Sequence, residues 1–359
     1  MEEAKSIEAL SLAFTAGVVA GTMSCGMAPW AGSALLFLVG LPFLFRSGIL
    51  SLRQEAATAL LLGIFLLLGV FCAWSSRFAG IGPGIFLKAV ADDAATALRA
   101  HIRAIPFPDP RTVPLLLALL TGDRSALPAG LATIFRSSGA SHLLALSGLH
   151  MGIIYLLLDK VSLLAGRTPA MRKVRYAAIL SAAGFFTLMT GASPSLVRAF
   201  LFIGINETLR ILGRPRKAVR VLCLALLVQL VLDPSVISSV GFQLSYLAMT
   251  GIFVLYPVLE KWYPAGLRWD PMRRIWQGAA LSISCQACTA PLAWLRFHSF
   301  PRYFLLTNLL ALPLTTALMG CAVCTVTLEA AGACPTLLVT LTDSLCRLLL
   351  YVLEIIASM

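Results

Sequence analysis

The chain has 359 residues, 59% of them hydrophobic and 12% charged, with a mean hydropathy of +0.89. No ordinary soluble domain can fold such a composition, which defines a polytopic membrane protein. The net charge of +12 reflects mainly where basic residues sit relative to a bilayer, and only secondarily an anionic partner.

A span takes roughly 20 apolar residues, and the chain offers about ten or eleven such stretches. In chain order they are Ile7 to Met23, Pro29 to Phe45, Ala56 to Trp74, Leu143 to Ala165, Val174 to Thr190, Leu196 to Leu212, Val219 to Leu232, Val236 to Leu255, Ile275 to Trp294, Tyr303 to Leu328 and Leu337 to Ile356. The expected fold is therefore all-α, a transmembrane helical bundle with three regions. Residues 1–75 hold a hairpin and a third span, 76–141 form an outer interfacial segment, and 142–359 form the membrane core. The start "MEEAKSIEAL" lacks a basic n-region and cleavage site, so the first apolar stretch is expected to stay as an anchor.

Lysines and arginines cluster between spans two and three, four and five, six and seven, and eight and nine, as in "GRPRKAVR". With eleven spans all four loops fall on one side, which places the N-terminus in the cytoplasm and the C-terminus outside. In the outer segment "GIFLKAVADDAATALRAHIRAI" sets Phe86, Val90, Ala94, Leu98 and Ile102 near helical spacing. This predicts an amphipathic helix in the outer interface. The Pro-rich "PFPDPRTVP" ends it, and a short apolar run from Leu115 to Leu120 leads into "TGDRSALP".

Nine cysteines include Cys285/Cys288 and Cys321/Cys324. Each pair sits inside an apolar span without a turn or a second ligand pair, so the cysteines are read as small hydrophobes and no metal site is expected. No cofactor is expected either.

Five polar islands interrupt the apolar pattern, and such groups in a bilayer face a bundle interior or water. The first is "TGDRSALP", with Asp123 and Arg124. The second, "SSGASHLLALSGLHMG", carries His142, Ser147 and His150; on one continuous helix the two histidines lie about 80° apart. Gly148 and Gly152 thin that face for close helix packing. In the third, "TGASPSLVRAF", Ser193 reads as an N-cap and Pro194 as the first helical residue, with Arg198 one turn inside. A basic residue near a helix N-terminus suits an anion such as phosphate, and snorkelling to headgroups explains it equally cheaply. The fourth holds Gln243 and Ser245; the fifth is Asn308, with Pro313 expected to break the span five residues later. Asn206 and Glu207 add a buried acid that needs a partner.

These islands, in this order, resemble the membrane core of the ComEC family of bacterial natural competence. The resemblance runs from about Leu115 to Pro313 and is carried by "LLTGDRSALP", "FRSSGASHLLALSGLHMG", "GASPSLVRAFLF", "LDPSVISSVGFQLSYLAMTGI" and "TAPLAWLRFHSFPRYFLLTNLLALP". It implies a non-enzymatic channel in the bacterial cytoplasmic (inner) membrane that passes single-stranded DNA inward during transformation. Members commonly carry an OB-like outer domain and a metallo-β-lactamase-like nuclease domain. Neither is expected here: the outer segment is short, and the four histidines form no HxHxDH-type motif. The implied partners are single-stranded DNA, the lipid bilayer, and separate DNA-receptor, nuclease and motor proteins; self-association stays open. The chain has no GxxxxGK[ST] loop of its own.

A DNA path needs fixed dipoles and a few cations to offset one phosphate per nucleotide. Arg124, Arg136 and Arg198 are the candidates for phosphate contacts at the mouth. His142, Ser147, His150, Gln243, Ser245 and Asn308 are the candidates for polar lining, with packing as the alternative for each. Asp123 is expected to orient Arg124. Phe297, Phe300 and Tyr303 offer stacking or interface anchoring. Two alternatives are a small-solute transporter or non-transporting structural partner, and an intramembrane serine hydrolase using Ser147 with His142 or His150. The hydrolase lacks an oxyanion loop.

Overall fold

A computed structural model describes residues 2–23, 54–75, 85–163, 169–263, 270–298 and 302–359. Among these residues every regular element is a helix. In chain order they are α1 (Glu2–Met23), α2 (Gln54–Ser75), α3 (Ile85–Ala104), α4 (Thr112–Thr121), α5 (Ala129–Ser137), α6 (Ser141–Leu144), α7 (Gly148–Leu163), α8 (Pro169–Met189), α9 (Pro194–Ile211), α10 (Ala218–Leu232), a 3-10 turn (Pro234–Ser238), α11 (Val240–Val254), α12 (Tyr256–Glu260), α13 (Pro271–Phe297), α14 (Phe304–Ala330) and α15 (Thr336–Ser358). The expected second span, Pro29 to Phe45, lies outside the described residues.

Three helical stretches, Val240–Glu260, Phe304–Ala330 and Thr336–Ser358, are long and apolar enough to cross a membrane. Shorter apolar stretches are Ile7–Thr22, Leu61–Ala73, Thr112–Thr121 and Ala218–Leu232.

Helix ends follow local chemistry. Asp270 caps α13 by accepting from the Met272 and Arg273 N–H groups at 3.0 and 3.2 Å, with Pro271 as the first helical residue. Asp233 accepts from the Ser235 N–H and so starts the 3-10 turn. Gly122 ends α4 in the left-handed region, at φ 75°.

The fold divides into two compact units, residues 1–83 with 201–243 and residues 84–200 with 244–359. In the first, α1 and α2 approach until their backbones touch. A Cβ on Gly17 would lie 1.8 Å from the Leu66 carbonyl oxygen, and one on Gly69 would lie 2.2 Å from that of Phe14. Where lipid is as apolar as leucine, such small-residue contact is a main source of helix association. Glu207 is buried, and Arg210 one turn along α9 supplies the ion pair it needs at 3.4 Å.

In the second unit the core forms around α4. Leu115 to Leu120 are all buried, together with residues of α3, α6, α14 and α15. A helix apolar on every side belongs inside protein or lipid, and here protein encloses it. The α3 helix is amphipathic, but its buried positions are Ala91, Ala95 and Ile102, while Val90 is exposed. Its buried face is thus turned from the expected one, because it seats α3 on α4, α8 and α14. His101 bonds the Val326 carbonyl at 3.2 Å across that packing. Pro313 does not break its span. The α14 helix runs through it, since apolar surroundings make the remaining backbone bonds obligatory.

A polar network ties α15 to the entry of α4. The carboxylate of Asp343, 0% exposed, accepts from the Asp109 N–H at 3.1 Å and the Thr112 hydroxyl at 2.7 Å. Arg347 donates to its other oxygen at 2.9 Å. Asp109 accepts in turn from Arg111, whose guanidinium also pairs with Glu354 at 3.2 Å.

Two carboxylates, Asp109 and Asp123, titrate below the usual range. Bonds from Arg111 hold Asp109 down. Bonds from Ser125, followed by the charges of Arg99 and Arg103, hold Asp123 down. A carboxyl lowered in the folded state contributes stability above its unfolded pKa, and that stability is lost as pH falls through the folded value. The melting temperature is therefore expected to be flat from neutral pH to about 5 and to drop below about 4. Asp109→Asn with Asp123→Asn should flatten that acid limb, and an unaltered limb in the double variant would count against these groups.

Candidate functional site

The stretch expected to be one helix from Leu143 is broken. The α6 helix closes after one turn, Ala145 is extended at φ −81° and ψ 127°, and α7 begins at Gly148. The reason lies in Ser147. Its hydroxyl accepts the Leu149 N–H at 3.3 Å, and His150 Nδ1 accepts the Ser147 N–H at 3.3 Å. This is a capping box with histidine in the place of glutamate, so it starts a helix rather than continuing one. The unwound backbone is tolerated because Leu143, Leu144 and Leu146 are buried and Arg124 satisfies the open Leu144 carbonyl, from Nε at 3.2 Å and Nη2 at 2.8 Å.

That bond turns Arg124, expected at the mouth as a phosphate contact, to the backbone. Asp123 does not orient it; its carboxylate accepts the Ser125 N–H at 3.0 Å and pairs with Arg99 and Arg103 of α3 at 3.8 and 4.0 Å. The turn of Gly122 lies against Leu146, whose Cδ1 would be 2.6 Å from an added Cβ. The first two islands are thus one packed feature.

Arg198 is the most unusual charge among the described residues. It is 6% exposed, its Nε donates to Ser245 Oγ at 2.6 Å, and no acid among the described residues pairs with it. Its Nη2 would lie 3.1 Å from a Cβ on Gly148. Ser147, His150, Arg198 and Ser245 therefore meet at the start of α7, within the second unit. Pro194 is the first residue of α9, as expected, but the Ser193 hydroxyl is buried without a bond.

The other candidates make no bond to this group among the described residues. The His142 ring bonds the Gly139 carbonyl at 3.2 Å and is exposed. Arg136 is exposed on α5. Gln243 falls in the first unit and spends its amide on the Ile237 carbonyl at 2.8 Å. Asn308 Oδ1 is buried without a partner, beside Thr307, which donates to the Ser138 carbonyl at 2.6 Å. Phe297 is exposed, and the Tyr303 hydroxyl donates to the Met359 carbonyl at 3.0 Å.

Ser147 Oγ lies 3.2 Å from His150 Nδ1, within reach of a nucleophile and base pair. The far nitrogen, Nε2, is buried without a partner, so no third group orients the ring. Capping is what the hydroxyl visibly does. Ser147→Ala is expected to cost about 1 kcal/mol of stability, the usual price of a lost N-cap, read from the melting temperature in detergent. A variant as stable as the parent would remove the capping role. No group of three or more His, Cys, Asp or Glu side chains suited to a metal occurs among the described residues.

A helical membrane protein with a buried polar site at a helix start is the class that fold and site define. The chain belongs to the ComEC-type competence proteins: the family described as "Competence protein" matches residues 119–359, more than half of its length. It is 26% identical over 224 residues to ComE operon protein 3 of Bacillus subtilis (strain 168), covering 61% of this chain and 27% of that protein. It is 28% identical over 246 residues to the uncharacterized protein YcaI of Escherichia coli (strain K12), covering 65% and 32%. With competence protein ComA of Neisseria gonorrhoeae the identity is 30% over 230 residues, covering 61% and 32%. The matched region thus spans about a third or less of each relative's length. No solved structure matches.

Proposed function

We propose that this chain is the channel-forming part of a DNA-uptake system, passing single-stranded DNA across the bacterial cytoplasmic membrane in natural transformation. The observation that carries this reading is that the family match over 119–359 contains the whole polar cluster of Ser147, His150, Arg198 and Ser245. One relative bears competence in its name, and another is named for the ComE operon. A strand with one phosphate per nucleotide needs fixed positive ends among the helices, which Arg198 and the start of α7 supply. The N-terminus is cytoplasmic, by the placement of basic loops. A DNA receptor, a nuclease and a cytoplasmic motor act as separate partners. The chain's own role is conduction, without catalysis.

Deletion of the gene is expected to reduce both transformation and the entry of labelled DNA into the cytoplasm to the background of a non-competent strain, with recovery on complementation. Unchanged entry would remove the channel function. A fluorophosphonate probe is expected to leave Ser147 unlabelled; labelling lost in Ser147→Ala would replace conduction with hydrolysis.

A further inference from the structure

We propose that the start of α7 and the guanidinium of Arg198 form a binding site for one phosphodiester group of a single DNA strand. The inference rests on the channel reading above and deepens it to named atoms.

Three observations converge. First, α7 has 16 residues, long enough to carry a macrodipole with about half a positive charge at its start. The Gly148 and His150 N–H groups hold no bond among the described residues, so they stand open as donors. Secondly, a guanidinium lies against that positive end, admitted by the missing side chain of Gly148. Two positive ends brought together in a buried place repel, and an unpaired buried charge is costly; an anion between them relieves both. Ser245 holds Nε, leaving the two Nη groups without a bond among the described residues. Thirdly, His150 Nδ1 accepts the Ser147 N–H, which puts the ring proton on Nε2, a buried donor without an acceptor.

The anion that fits is a monoanion with two equivalent oxygens, which a guanidinium fork and a helix start hold together. A phosphodiester has that chemistry. Such contacts position a strand without reading its sequence.

The test uses the full chain in nanodiscs of zwitterionic lipid and fluorescence anisotropy with a short labelled oligodeoxynucleotide. Arg198→Gln is expected to weaken binding about 10- to 100-fold and to reduce the slope of log affinity against log salt by about 0.7. Its melting temperature should stay level or rise, because it removes an unpaired buried charge. Gly148→Ala keeps the charge but crowds the guanidinium at 3.1 Å, and should weaken binding as well. An uncharged methylphosphonate oligonucleotide should bind the parent as weakly as the natural strand binds Arg198→Gln. Equal affinity of parent and Arg198→Gln overturns the proposal, and so does a lowered melting temperature with both variants binding normally. Recovery of anionic phospholipid with the parent but not with Arg198→Gln, at equal oligonucleotide affinity, assigns the phosphate to a headgroup and also overturns it. Binding in nanodiscs is independent of uptake, so unchanged uptake in the deletion strain would overturn conduction while leaving this result standing.

Discussion

Replacing Gly17 by alanine is expected to force α1 and α2 apart and to cost about 3 kcal/mol or more, the upper end of overpacking penalties. The added carbon would sit 1.8 Å from the Leu66 carbonyl oxygen and 2.7 Å from the carbonyl carbon. Both atoms are backbone, so no rotamer change relieves the clash and a whole helix has to move. Gly63 is the control: it lies in α2, the partner helix, and a Cβ there meets nothing within 4 Å. Gly63→Ala should be neutral or stabilising by up to about 1 kcal/mol, through helix propensity alone. Thermal unfolding in detergent reads both. A Gly17→Ala protein no weaker than Gly63→Ala would mean that α1 and α2 do not meet as described.

The second large effect is expected at Asp343. Asp343→Ala leaves the Asp109 N–H and the Thr112 hydroxyl without their acceptor in a buried place, at about 1–3 kcal/mol for each unsatisfied group. Arg347→Ala should cost much less. The Arg347 side chain is 52% exposed, so after losing its partner it is solvated by water, and a largely exposed ion pair contributes only about 0–1 kcal/mol. Asp343→Asn, which keeps one acceptor oxygen, should fall between them. Equal losses in Asp343→Ala and Arg347→Ala would show that the ion pair, rather than the two buried donors, holds α15 to the entry of α4.

Both predictions concern contacts between residues far apart in the chain, and that separates what was legible beforehand from what was not. Pro194 marks the start of α9 through a preference that acts within a few residues. Ser147 carried a readable signal too, since S-x-x-H has the spacing of a capping box. It was missed because the hydrophobic period continues through Leu143, Leu144 and Leu146, and hydropathy does not register a break whose backbone is buried. The surroundings of the run from Leu115 to Leu120 are hidden for a related reason. Its composition says that it is buried, but not whether lipid or protein surrounds it, and its length is too short for a span.

The site shows the same division. Arg198, Ser147, His150 and Ser245 could be singled out one by one, because a strongly polar group in an apolar stretch is costly and therefore marked. That Arg198 lies against Gly148, while Arg124 turns away to the Leu144 carbonyl, could not be read, since nothing local to either arginine differs in kind.

Composition and short-range pattern determined by themselves that this is a helical membrane protein, where many of its helices begin, and where polar groups interrupt its apolar stretches. Hydrophobicity, capping and the cost of buried charge are properties of a residue and its near neighbours. Only the tertiary structure decided which of those residues meet. The unwinding before Gly148, the enclosure of α4 and the approach of Arg198 to the start of α7 depend on packing between segments tens to hundreds of positions apart.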